Sequence, residues 1–340
     1  MFRKTRLTAL LTTGAVGALV LAGCASTPET TRTSDAAGSP DAFPVTMEHL
    51  YGETTIEAAP ERVATWGWGA TDAVLALGIV PVAITEDTFG APATGITPWV
   101  QEAIQDLDGE TPVLLDSAEL SVEELLATDP DVLIAPYSGL SQEEYDAVTG
   151  AGVPVVAPQQ ALWATPWRDV ITETGTALGM DDEAAALLDD LNGQVEEAAA
   201  ANPGFAGITI AYIDDDVDTM YMYLPADARV ELLEDLGFVT PESVAALDAG
   251  EATFYTTVSA ENLDQIDAEV IFTQAEDQAT LDEFLSSERG RLIPAVAAGA
   301  VAAAVGVEEE DSVSPTALTL PWSLPWLVEK LAEATAVAKG

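Results

Sequence analysis

The chain has 340 residues, 48% of them hydrophobic, enough to bury a substantial core and to build two domains. Its 58 acids against 11 Lys and Arg give a formal charge of −47, which argues against nucleic acid or anionic lipid surfaces as partners. One cysteine (Cys24) and one histidine (His49) exclude a disulfide framework, a cysteine metal site, Ser-His-Asp or Cys-His catalysis and histidine-rich metal cages.

The chain opens on a basic stretch with Arg3, Lys4 and Arg6, then an apolar run over 7–21, short for a membrane-spanning helix. Leu21-Ala22-Gly23-Cys24 follows and looks like a bacterial lipobox. Residues 1–23 are therefore expected to be a lipoprotein signal peptide, with Cys24 lipidated and anchoring the mature chain to the cell membrane. Loss of the leader removes three bases and leaves 8 against 58 acids, a charge of −50. The acidity reads as a solvated surface of the kind a salt-adapted protein carries, because hydrophobic runs recur throughout the middle of the chain. Residues 24–42, rich in Ser, Thr, Pro and small side chains, read as a flexible tether.

Alternation over 43–56 around Gly52 predicts a β-hairpin, with His49 as an ordinary strand residue. Strands are expected at 63–66, 80–84, 113–115, 132–135 and 153–156, with a helix over 71–77. The stretch 166–201 organises the rest. It carries Val170, Thr174, Ala177 and Leu178 at helical spacing, breaks at Gly179, and resumes as an Ala-, Leu- and Glu-rich run stopped by Asn202-Pro203-Gly204. A helix over 182–201 would be about 30 Å long. Further strands are expected at 208–212, 220–223, 270–273 and 301–305.

The chain also echoes itself. Ser121, Glu123, Leu125, Asp129, Asp131 and Val132 recur in register as Ser259, Glu261, Leu263, Asp267, Glu269 and Val270. Leu77-Gly78-Ile79 is repeated more loosely as Leu236-Gly237-Phe238. Two similar α/β halves, each with a parallel sheet covered on both faces, joined by one helix, is the architecture this predicts.

Ligands of such sheets sit beyond the carboxyl ends of the strands. There the sequence gathers Trp66, Trp68, Tyr137 and Trp163 in the first half, and Tyr212, Tyr223 and Tyr255 in the second, with Trp322 and Trp326 in the tail. Several of these can equally be core or interlobe packing, and Trp99 and Tyr145 are assigned to packing. Among the arginines, Arg62 reads as structural, while Arg168, Arg229, Arg289 and Arg291 are candidates for holding an anionic ligand. Arg229 can instead pair with Asp227 or Glu231. Few bases beside many aromatics favour a neutral or cationic ligand, which an aromatic bowl can envelop. The run Asp214–Asp216 with Asp218 lacks the glycine and distal glutamate of an EF-hand and reads as an acidic turn. No GxSxG motif or complete dinucleotide fingerprint is present; a carboxylate-dependent secreted hydrolase stays open only because acids are so numerous.

From Phe43-Pro-Val-Thr through Pro60-Glu61-Arg62-Val63 and Leu77-Gly78-Ile79-Val-Pro81-Val82, the chain resembles the iron-siderophore substrate-binding lipoproteins of ABC importers, and most of all their actinobacterial members. The likeness continues at Asp129-Pro-Asp131 to Leu140, at Ala164-Thr-Pro166-Trp167 and at Leu224 to Arg229, covering nearly all of the mature chain. The resemblance implies two Rossmann-like lobes, 43–180 and 203–340, joined by a single long helix at 181–202, with the ligand cleft between them. It implies a non-catalytic protein without a cofactor, acting as a monomer. Such a protein captures a ferric siderophore and hands it to an ABC permease. Haem or cobalamin remain open as ligands of the same fold. Residue by residue, the ligand contacts expected are Trp66, Trp68, Tyr137, Trp163, Tyr212, Tyr223, Arg229 and Trp322. By the family's habit of one docking glutamate per lobe, Glu123 and Glu261 are expected to meet the permease. Both also occupy first helical turns, where acids are favoured anyway.

Overall fold

A computed structural model describes residues 42–340, except 92, 217, 218, 251 and 253. The expected leader and Cys24 lie outside the described residues. The hairpin forms as expected: β1 (Val45–His49) pairs antiparallel with β2 (Gly52–Ile56). It is fixed to the body by Leu50 N–H donating to Pro158 O at 2.8 Å and Thr54 Oγ1 donating to Val155 O at 2.8 Å. His49 is buried and shares a hydrogen bond with Thr54.

The first lobe is a five-stranded sheet of β3 (Val63–Thr65), β4 (Ala83–Thr85), β5 (Val113–Leu115), β6 (Val132–Ile134) and β7 (Val155–Val156), in the order β5-β4-β3-β6-β7 and parallel throughout. Helices α1 (Ala70–Ala76), α2 (Pro98–Asp106), α3 (Val122–Ala127) and α4 (Gln142–Gly150) connect the strands. The strand expected at 80–84 starts only at Ala83, consistent with Pro81 having no N–H for a ladder. Alternate residues face opposite sides, as the pleat requires. Val63, Val132 and Ile134 join a core shared with the second lobe, while Ala64, Leu133 and Ala135 pack with Leu125 and Val148 on the other face.

Then come α5 (Trp167–Leu178), closed by Gly179 in the left-handed region, and α6 (Asp181–Ala201) with three acids in its first turn. Alpha-helix 6 buries Ala184, Leu191 and Val195.

The second lobe holds β8 (Ile210–Asp216), β9 (Thr219–Tyr223), β10 (Tyr255–Val258), β11 (Val270–Ala275) and β12 (Val301–Val305), ordered β10-β9-β8-β11-β12. This sheet is mixed rather than parallel: β9 is antiparallel to β8, and β10 to β9. Strand β10 was not anticipated, although Tyr255-Thr256-Thr257-Val258 alternates between half-buried and buried. Around the sheet lie α7 (Ala228–Asp235), α8 (Glu242–Leu247), α9 (Gln278–Ser286), α10 (Pro294–Ala298), α11 (Val307–Ser312) and α12 (Thr319–Lys339).

The sequence echo has a structural counterpart. Strands β6 and β11, which follow the repeated segments, each lie beside the first strand of their sheet and parallel to it. The looser echo is a shared helix stop. Gly78 and Gly237 both take positive φ, and their N–H groups donate three residues back, to Leu75 and Glu234. The repeat is imperfect at 260–265, where a 3₁₀ helix replaces the α-turns of α3.

Candidate ligand-binding site

A cavity of about 820 Å³ opens between the lobes, within the range of small-ligand sites. Loops at the carboxyl ends of the first lobe's strands supply Trp68 after β3, Tyr137 after β6 and Trp163 after β7. Gly67 makes the first of these possible. A Cβ there would stand 2.5 Å from Tyr137 O, so only glycine lets the two loops cross, and Trp68 N–H then donates to Tyr137 O at 2.9 Å. Tyr137 and Trp163 meet edge to face at 5.6 Å. Trp163 is 42% exposed and sits at φ 55, a strained backbone for a bulky residue. Burial raises the Tyr137 hydroxyl above its ordinary pKa, with Asp227 adding to the effect, so it is a neutral donor.

The facing wall comes from the second lobe. Arg229 lies on the cavity, but its guanidinium forks onto Asp227 at 2.8 and 2.7 Å and sits over the Tyr223 ring at 3.8 Å. Phe254 and the segment 314–317 complete this side. Thr316 Oγ1 donates a hydrogen bond across to the Asp72 carboxylate on α1, which joins the tail of the chain to the first lobe.

Helix α5 forms one flank, with Trp167, Asp169 and Glu173 on the wall. Glu173 is buried, which raises its pKa to about 8 with a further contribution from Asp169. From the same helix, Arg168 reaches across to α7, donating to Asn192 on α6, Glu231 and Asp235. A smaller adjoining cavity of about 290 Å³ is lined by Asp72, Asp87 and Asp311. Burial raises Asp72 to about 7 and Asp311 to about 8, with Asp87 adding to both. Among the described residues no group of three or more His, Cys, Asp or Glu is placed to hold a metal ion.

Of the residues singled out from sequence, Trp68, Tyr137, Trp163 and Arg229 thus come together on one cavity. Trp66, Tyr212, Tyr223 and Trp322 are not on its wall. Trp66 continues the pleat of β3 onto the far face, where it is 2% exposed and its Nε1 donates to Asp116 O. Tyr212 lies within β8 and is buried beneath Arg229, its hydroxyl donating to Gln274. Tyr223 ends an antiparallel strand and so lies level with Tyr212 instead of beyond the sheet. Trp322 packs on Trp99 at 6.0 Å and donates to Glu308.

Arg62 is structural, donating to the carbonyls of Thr128 and Asp129. Arg289 pairs with Asp215, and Arg291 is exposed. Asp214, Asp215 and Asp216 belong to β8 instead of a turn, and Asp218 lies outside the described residues. Glu123 and Glu261 are both exposed, in the first turns of α3 and of the 3₁₀ helix at 260–265. Sequence reasoning missed Asp169, Glu173 and Phe254. The signal for Glu173 was available, as an acid on the apolar face carrying Val170, Thr174 and Ala177.

Two α/β lobes, a bridging helix and a cavity between them define a two-lobed solute-binding protein. The chain belongs to the periplasmic binding protein family, whose model matches residues 63–304. It is 25% identical over 292 residues, 83% of this chain and 85% of the relative, to the probable siderophore-binding lipoprotein YfiY of Bacillus subtilis (strain 168). It is 23% identical to the Fe(3+)-citrate-binding protein YfmC of the same organism, over 88% of this chain and 89% of the relative. Among solved structures it is similar to PiaA of Streptococcus pneumoniae TIGR4 in complex with ferrichrome. That match has a TM-score of 0.79 and 31% identity, and covers 86% of this chain and 99% of the other.

Proposed function

We propose that this protein captures a ferric siderophore outside the cytoplasm and delivers it to an ABC permease, and that the ligand is a neutral or cationic complex of hydroxamate type. One observation carries the ligand class. Among the described residues the cavity wall carries the aromatic side chains of Trp68, Tyr137, Trp163, Trp167 and Phe254 and one arginine, already held by Asp227. An anionic complex would need a free guanidinium and would meet Asp169, Asp227 and Glu231 instead. An uncharged ferric hydroxamate gains burial against the rings, and any positive charge on it gains cation–π attraction. PiaA, which carries ferrichrome in its structure, supports this reading; YfmC, named for ferric citrate, marks the alternative.

The lobes in this proposal are 43–180 and 203–340, with 181–202 as the connecting helix and 24–42 as a tether. Anchoring is through lipidated Cys24, the acting form is a monomer, and no cofactor takes part. Among the described residues no helix is long and apolar enough to cross a membrane. Glu123 and Glu261, exposed at matching places in the two lobes, are the contacts for the permease. The test is tryptophan quenching of the chain from Ala25 onward, titrated with ferrichrome, a ferric catecholate, haem and cobalamin. Saturable binding of ferrichrome alone supports the proposal. Preference for the catecholate overturns the ligand class, and binding of haem or cobalamin without either iron complex overturns the iron reading.

A further inference from the structure

One buried acid on the cavity wall has no partner among the described residues. Glu173 is 5% exposed, and among the described residues neither of its carboxyl oxygens meets a hydrogen-bond donor. Buried polar groups are ordinarily paired, so an unpaired carboxyl requires a reason. One helical turn earlier, Asp169 is exposed on the same cavity. A buried carboxyl without a donor costs stability, and the fold draws nothing from it among buried Val170, Ile171, Thr174 and Ala177. Neither Arg168 nor Arg229 relieves it. Arg168 is committed to Asn192, Glu231 and Asp235, and Arg229 to Asp227. A local rule broken on a cavity wall points to a ligand.

We propose that Glu173 is the recognition site for a pendant cationic group, a primary ammonium, on the ferric ligand. This rests on the reading of the cavity as a ferric hydroxamate site and names what distinguishes one such ligand from another. The ferric trihydroxamate core is uncharged and is held by the aromatic rings, so a pendant ammonium is where a cationic complex differs from a neutral one. That ammonium donates a charge-assisted hydrogen bond to the carboxylate, in a site where little water competes.

Glu173 keeps its proton up to about pH 8 in the free protein, because burial and then Asp169 oppose its charge. A bound cation displaces that proton, so the preference for the cationic ligand grows from pH 6 to pH 8. Among the described residues the other titratable groups on this cavity are Tyr137, Asp227, Arg229 and Glu231.

The experiment is calorimetric titration of the wild type and of Glu173→Gln. The ligands are ferrioxamine B, which carries a free ammonium, its N-acetylated form, which does not, and ferrichrome. The wild type is expected to favour ferrioxamine B over the acetylated form by about tenfold at pH 8, and Glu173→Gln to abolish that preference while keeping its affinity for the acetylated form and ferrichrome. Proton release on binding should accompany the cationic ligand only. Equal wild-type affinity for the two ferrioxamines, or an undiminished preference in Glu173→Gln, overturns this inference while leaving the hydroxamate reading intact. Failure of all three to bind the wild type overturns that reading and the inference with it.

Discussion

Arg168 on α5 donates to Asp235 on α7 at 2.7 Å, and the same guanidinium also holds Glu231 and, on the bridging helix, Asn192. One side chain therefore ties both lobes to the connection between them. The groups are partly exposed, so each pair taken alone is weak, and the shared geometry is what gives the network its value. A double-mutant cycle of Arg168→Met with Asp235→Asn should give a coupling of about 0.5–1 kcal/mol at low salt, shrinking at high salt. A coupling of zero at low salt would show that the pair does not constrain the lobes.

The contact from Thr316 to Asp72 is the buried counterpart of that strap. Asp72 is 6% exposed, and Thr316 Oγ1 donates to it. Thr316→Val removes the donor and should destabilise the protein by about 1–3 kcal/mol in urea unfolding, more at pH 8 than at pH 5. Thr316→Ser keeps the hydroxyl and should restore most of the loss.

Several carboxyls give an unusual pH dependence. Asp72 is raised to about 7, Glu173 and Asp311 to about 8, and Glu310 to about 7, in each case chiefly by burial. An acid whose folded pKa is raised keeps a proton that the unfolded chain has already released. Its contribution is intact below the ordinary carboxyl range and is lost as pH climbs through the folded value. Melting temperature should therefore fall between pH 5 and pH 8, by about 5 °C or more for a chain of this size, and Glu173→Gln should flatten the slope. A melting temperature that rises over this range would contradict the burial of these groups.

The net charge of −47 makes a separate prediction. Going from about 0.1 M to 1 M salt shortens the screening length from about 10 Å to about 3 Å, which weakens repulsion across the acidic surface. Melting temperature should rise with salt although the Arg168 network weakens. Potassium chloride and sodium chloride should act alike if screening is the cause.

Gly139 sets the pose of Trp163, since a Cβ there would lie 2.7 Å from the indole Nε1. Because Trp163 is partly exposed, its ring can swing away at small cost. Gly139→Ala should lower ligand affinity by about tenfold with little change in melting temperature, as expected for loss of an aromatic anchor. Unchanged affinity would remove Trp163 from the ligand's surroundings.

What the sequence determined by itself was local or periodic. The Gly52 hairpin, the long run from Asp181 to Ala201, the strands at Val113–Leu115 and Val301–Val305 and the repeat before β6 and β11 all follow from patterns within short windows. Trp68, Tyr137 and Trp163 were legible as cavity residues because each follows a parallel strand of one all-parallel sheet. Strand direction and side-chain parity are decided between segments distant in sequence. Thus only the tertiary structure turned β9 antiparallel, placing Tyr223 level with Tyr212, and set Trp66 on the far face of its sheet. Pairing is equally non-local. Sequence offered Arg168, Arg229 and a wealth of acids as separate charges, and only packing showed both arginines already engaged and Glu173 buried on the cavity wall with no partner among the described residues. A carboxyl's environment is made by the chains folded around it, so its burial and its pKa appear only when the lobes are assembled.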